Sequence, residues 1–169
     1  MSGGGGEDEM VDRDEPVTWG LHPQMWSYAN VFARDIQELE PREPFEFGFT
    51  GHFVKGSNRP LSNIQLVGWI VDLKQVSETM LRVVIDDSTA LLVCAYWPDE
   101  LQAGSHRVEL KKPSMKLGDL VHIHGRLNWF RKHREVRIDA LSVIQDPNAE
   151  VAHWLRTIRS HLYFDKEHF

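Results

Sequence analysis

Between Asn63 and Ile144, short runs that alternate apolar with polar residues are broken at close intervals by turn-forming residues. A chain with that rhythm buries its apolar side chains by folding a sheet, because side chains on a strand alternate between its two faces. The runs are Gln65 to Lys74, Leu81 to Ile85, Leu91 to Trp97, Leu120 to Leu127 and Glu135 to Ile144. Gly68 sits in the middle of the first, where a small barrel bends sharply. Asp86-Asp87-Ser88-Thr89 is a turn cluster that makes a hairpin of the second and third. Pro98 to Leu117 holds Gly104, Pro113 and few apolar residues, so it reads as a connector with room for one short helix. Three strands, a connector and two more strands is the order of an OB-fold. The expectation is an all-β barrel of five antiparallel strands in Greek-key order, with flanking helices. Alternation puts Val83, Ile85, Leu92, Cys94, Val121 and Ile123 inside it.

Helical periodicity appears on both flanks. Met25, Tyr28, Phe32, Ile36 and Leu39 recur at spacings of three and four, which predicts an amphipathic helix over Gln24 to Leu39, ended by Pro41 and Pro44. Phe45, Phe47 and Phe49 alternate with Glu46, Gly48 and Thr50 as a short lead-in strand would. At the other end Asp146 caps a helix whose first position is Pro147, and Val151, Trp154, Leu155, Ile158 and Leu162 form an apolar stripe along it to about residue 162. Residues 1–18, rich in Gly, Asp and Glu, read as a solvated tail, which leaves 19–169 as one OB-fold domain with its two flanking helices.

The composition, 41% hydrophobic and 26% charged over 169 residues, is that of a globular chain with one core. No apolar run is long enough to span a bilayer and the start lacks the pattern of a secretory signal, so the expectation is an intracellular protein without a membrane anchor. Cys94, the single cysteine, reads as a buried structural thiol. A net charge of -6 argues against nucleic acid, but the charge is segregated. Residues 1–46 carry eleven acids and three bases, whereas residues 105–141 carry nine bases and four acids. Within that basic stretch Asn128, Trp129, Phe130, Arg131, Lys132, His133 and Arg134 form the loop between the last two strands. Flat rings that stack on bases beside cations that meet phosphates are the ingredients of sequence-tolerant single-strand binding, so Asn128, Trp129, Phe130, Arg131, Lys132 and Arg134 are the candidate DNA-binding residues. An ordinary solvated hairpin is the plainer alternative.

Asp86 and Asp87 could serve as acid and base, yet the Ser and Thr beside them point to a hydrogen-bonded turn. His122 and His124 share a strand face, but with His133 they lack a fourth ligand at zinc spacing. No catalytic residue, metal or cofactor is expected. The stripe of Val151, Trp154, Leu155, Ile158 and Leu162 is larger than a plug for the barrel's end requires, and an aromatic at its centre suits a protein interface.

Four segments resemble a known family, the Stn subunit of the CST telomere-capping complex, a relative of the middle subunit of replication protein A. They are Tyr28 to Leu39 (YANVFARDIQEL), Gly51 to Gly68 (GHFVKGSNRPLSNIQLVG), Val84 to Trp97 (VIDDSTALLVCAYW) and Gly118 to Trp154 with its Gly-Asp strand start, Arg-rich hairpin and Asp-Pro helix start. Ala90 stands where that family usually has Gly, and Ala resists a positive φ. The resemblance implies a nuclear protein at the telomere that holds single-stranded telomeric DNA and supports end protection and C-strand replication. It implies two partners, a small Ten-type OB-fold subunit docked on the C-terminal helix and a large Ctc-type subunit. A general single-stranded DNA-binding subunit like the middle subunit of replication protein A is the second reading.

Overall fold

The computed structural model describes residues 26–42, 51–53, 60–98, 115–130 and 133–164. Among them run β1 (Ala29–Asn30), α1 (Ala33–Gln37), β2 (Glu40–Arg42), β3 (Gly51–Phe53), β4 (Pro60–Leu61), β5 (Asn63–Gln75), β6 (Leu81–Asp86), β7 (Leu91–Tyr96), β8 (Leu120–Phe130), β9 (His133–Val143) and α2 (Asn148–Phe164). Strands β5 to β9 close a five-stranded barrel with a C-terminal helix, the OB-fold that the strand order predicts. Closure depends on β5, which pairs with β8 through Asn63 to Trp69 and with β6 through Trp69 to Gln75. Gly68 stands at that change of partner. A Cβ there would lie 2.7 Å from the Asp86 carbonyl oxygen and 2.7 Å from Ile85 Cγ2, so only glycine lets the two strands approach. Gly125 has the same task between β8 and β9, where a Cβ would meet Arg137 O at 2.7 Å.

The expectation of uniformly antiparallel strands fails at one seam. β7 and β9 pair in parallel, with Cys94 opposite Val136 and Tyr96 opposite Ile138. The cause is topological: the connection after β7 starts β8 antiparallel to β5, so β9, hairpinned to β8, runs in the direction of β7. The interior follows the alternation regardless. Val83, Ile85, Cys94, Val121 and Ile123 are fully buried and Leu92 nearly so. Burial pushes the Cys94 thiol pKa far up, aided by the charge of Glu135, which keeps it an unreactive core residue.

The predicted helix over Gln24 to Leu39 is shorter than its periodicity suggests. Ala29 and Asn30 pair in parallel with Ile64 and Gln65, and that extended pairing delays the helix to Ala33. Met25, with the Phe45 to Phe49 run and most of the connector, lies outside the described residues. Phe32, Ile36 and Leu39 are buried as the stripe requires, and Ala33, Ile36 and Leu39 join the barrel core and cover one end of it. Tyr28 instead remains 41% exposed.

What holds α1 is the Asp-Asp-Ser-Thr turn. The carboxylate of Asp87, fully buried, accepts the Ala33 amide at 2.7 Å through one oxygen, and the Thr89 amide and hydroxyl through the other at 3.0 and 2.6 Å. Thr89 Oγ1 in turn accepts the Arg34 amide at 3.2 Å. Two side chains far along the chain therefore satisfy amides that the first turn of a helix leaves without partners. Within the turn Ser88 takes the left-handed conformation, at φ 68°, so Ala90 stands in place of Gly without needing a positive φ.

Candidate functional site

Helix α2 presents its faces in an unusual order. Asp146 caps it as predicted, its Oδ1 accepting the Asn148 amide at 2.9 Å. The side turned to the barrel is polar: Glu150 accepts from the Trp69 indole at 3.2 Å, His153 Nε2 meets the Val31 carbonyl at 3.2 Å, and Thr157 is fully buried with its hydroxyl bonded to His153 O at 2.9 Å. His161 closes the series 3.3 Å from the Asp35 carboxylate and edge-on to the Phe32 ring. The apolar stripe faces away. Val151, Leu155 and Ile158 are 54%, 64% and 46% exposed. Trp154 lies at the border of the two faces, half-buried, with its indole N–H enclosed and without an acceptor among the described residues. The side chain of Leu162 is outside the described residues. Of the five predicted partner-facing residues the structure thus brings Val151, Leu155 and Ile158 together on one open face.

The predicted DNA-binding loop is a tighter object than the sequence suggests. β8 and β9 extend to Phe130 and from His133, so Asn128, Trp129 and Phe130 belong to a strand, with Trp129 opposite Arg134 and Phe130 opposite His133. Asn128 is exposed and its amide donates to Glu135 Oε1 at 3.2 Å across the hairpin. The side chains of Trp129 and Phe130, and all of Arg131 and Lys132, lie outside the described residues. Arg134 has another engagement. Its guanidinium donates to the carbonyls of Ile36 at 3.0 Å, Gln37 at 2.7 Å and Leu39, at the end of α1 and just past it, where the helical ladder of hydrogen bonds stops. Burial of that group pushes its pKa down. Both terminal nitrogens of Arg134 are thus turned to the chain's own backbone, at the base of the loop in which the sequence places it as a candidate DNA contact.

Sequence reasoning missed a second basic element on the outer face of the barrel. Lys74 stands opposite Arg82, Arg82 opposite Ala95, and Ala95 opposite Arg137, so register partners carry three exposed cations across four adjacent strands. Beside them the Arg137 guanidinium lies 5.0 Å from the centre of the Trp97 ring. Each cation occupies an outward position in its own strand, a signal present in the sequence, but only the register shows that they align. Around the barrel, on β8, His124 stacks on Tyr28 with ring centres 4.7 Å apart and bonds Gln65 Oε1 at 3.1 Å, and His122 meets it edge-on. Burial lowers the His122 pKa, and nearby His124, His153 and Arg156 add to the effect.

A family model described as telomere regulation protein Stn1 matches residues 50–166. The CST complex subunit STN1 of Mus musculus is 24% identical over 178 residues, covering 88% of this chain and 45% of its own length. That of Arabidopsis thaliana is 24% identical over 148 residues, covering 79% of this chain and 88% of its own. The chain thus spans about half the length of the mammalian relatives it matches. Among solved structures, a replication protein A heterotrimer bound to single-stranded DNA superposes with a TM-score of 0.64 at 17% identity, over 81% of this chain and 97% of that one. A Schizosaccharomyces pombe Stn1-Ten1 complex does so with a TM-score of 0.62 at 24% identity, over 83% and 95%. The structural likenesses show a common fold, and the family match, which takes in the barrel, its hairpin and α2, places this chain in the Stn1 family of telomere regulation proteins.

Proposed function

We propose that this chain is the OB-fold subunit of a CST-like complex, a binding module of the nucleus and the telomere that has no catalytic role. It holds single-stranded telomeric DNA together with a small Ten-type OB partner and a large Ctc-type subunit. The observation that carries the reading is the orientation of α2: the barrel takes its polar side, and Val151, Leu155 and Ile158 are left for a partner. The Stn1-Ten1 complexes among the structural neighbours are the precedent for that partner's class. For the nucleic acid, the row of Lys74, Arg82 and Arg137 with the Trp97 ring offers cations and an aromatic face along one path. Asn128, Trp129, Phe130, Arg131 and Lys132 at the hairpin end would extend it.

The replication protein A reading shares the fold, and the family match over 50–166 favours the telomeric one. Recovering the chain from its source with its associated proteins tests the choice. A small OB subunit and a large telomeric subunit are expected; recovery with the large and small subunits of replication protein A instead would overturn the reading.

A further inference from the structure

The segment from Val31 to Leu39 lies between the two proposed binding surfaces and is held by a side chain from each. From α2, His153, 1% exposed, meets the carbonyl of Val31. His161 adds its contacts with Asp35 and Phe32 further along the helix. From the β8–β9 hairpin, Arg134 gathers the carbonyls of Ile36, Gln37 and Leu39. Between these two anchorages Ala33 and Ile36 are locked into the barrel core, and Asp87 fixes the Ala33 amide. The segment is therefore a short strap with little freedom of its own, joined at one end to the partner-facing helix and at the other to the hairpin. Arg134 stands in the rung next to the last pair, opposite Trp129, so what fixes Arg134 fixes the base of the hairpin's tip.

We propose that His153 and Arg134 are positioning residues that couple the two surfaces, so that docking of a partner on α2 and binding of a single strand at the hairpin strengthen each other. The inference rests on the proposed function. A partner that restrains α2 restrains the strap and the hairpin's base, and a strand arriving afterwards loses less freedom in binding. Coupling of this kind is reciprocal, each ligand changing the other's affinity by one common factor.

The experiment uses the full chain, a Ten-type subunit from the same source and labelled single-stranded DNA of mixed sequence. DNA affinity is measured with and without saturating Ten-type subunit, and subunit affinity with and without saturating DNA. Both ratios are expected to agree at about fivefold or more, within the usual range of such couplings. His153→Leu should bring the ratio close to one with the separate affinities retained, and Arg134→Lys, which keeps the charge but lacks the planar fork, should lower the ratio likewise. Amide exchange on the unaltered chain supplies a measurement that needs no variant. The Ten-type subunit should slow exchange at 31–39 and at 133–137 together. A ratio of one in the unaltered chain, a ratio retained in both folded variants, or protection that stops at α2 overturns the coupling and leaves the proposed function standing. Failure of the chain to bind either ligand overturns the proposed function and the coupling with it.

Discussion

Asp87 concentrates in one buried carboxylate the work of joining the lead-in segment to the barrel. It accepts from Ala33, Thr89 and Ala90 amides and from the Thr89 hydroxyl, so its removal strands several donors in a buried site. Asp87→Ala is expected to destabilise the chain by about 3 kcal/mol, since each buried donor left unsatisfied costs about 1–3 kcal/mol. Urea unfolding checks it: a midpoint no lower than that of the unaltered chain would show that Asp87 is not the anchor. Gly125→Ala places a methyl against Val136 and the Arg137 carbonyl and should cost about 1–3 kcal/mol by overpacking. Both residues occur in segments legible as turn or strand. The reason each is irreplaceable was not legible, because it comes from a backbone that arrives from elsewhere in the chain.

At the scale of elements α2 is the informative case. Its stripe was readable from spacing alone, but periodicity shows only that one face is apolar and not which way the face turns. The buried pair His153 and Thr157, on the opposite side, decides the direction. Leu155→Glu with Ile158→Glu should therefore abolish capture of a Ten-type subunit while leaving the thermal midpoint within a few degrees, because both side chains already lie in water. An unchanged capture, or a collapsed midpoint, would return the helix to the status of a plug. Trp154 is a poor choice for that experiment, since its enclosed indole belongs partly to the chain's own packing.

The barrel-facing side of α2 and the strand beneath it carry a pH dependence. Burial lowers the pKa of His153 against the opposing effects of the Val31 carbonyl and Asp87, and burial also lowers that of His122. The folded state therefore resists protonation more than the unfolded chain. Stability is complete above the unfolded histidine pKa of about 6.5 and declines as the pH falls from there through the lower folded values. Denaturant midpoints taken across a range of pH on both sides of that value should follow that course, and His153→Gln, which cannot protonate, should flatten it.

Over the whole molecule the strand rhythm made the barrel, its order and its inward residues readable, since period two is local information. Register and closure are not local. The parallel seam, the cation row and the diversion of Arg134 all follow from which strands become neighbours, and no single segment announces that. The charge segregation that pointed to nucleic acid was coarse in place, because residues 105–141 include Arg134 and omit Lys74 and Arg82. Replacing Lys74, Arg82 and Arg137 with Gln should weaken single-strand binding by the assembled complex. It should also lower the slope of affinity against salt by about 0.7 for each phosphate that is no longer neutralised. An unchanged slope would move the strand's path off this face.

The pairing of β7 with β9 has a further consequence in time. β6 pairs with β7 and β8 with β9, each strand with the next along the chain, so each hairpin can form from neighbouring residues alone. The seam between Cys94 and Val136 cannot, because it joins positions separated by the whole connector and a complete strand, and closing so long a loop delays their meeting. The chain should consequently assemble as two halves that meet late, and in the folded protein the amides along that seam should open in step with global unfolding rather than before it.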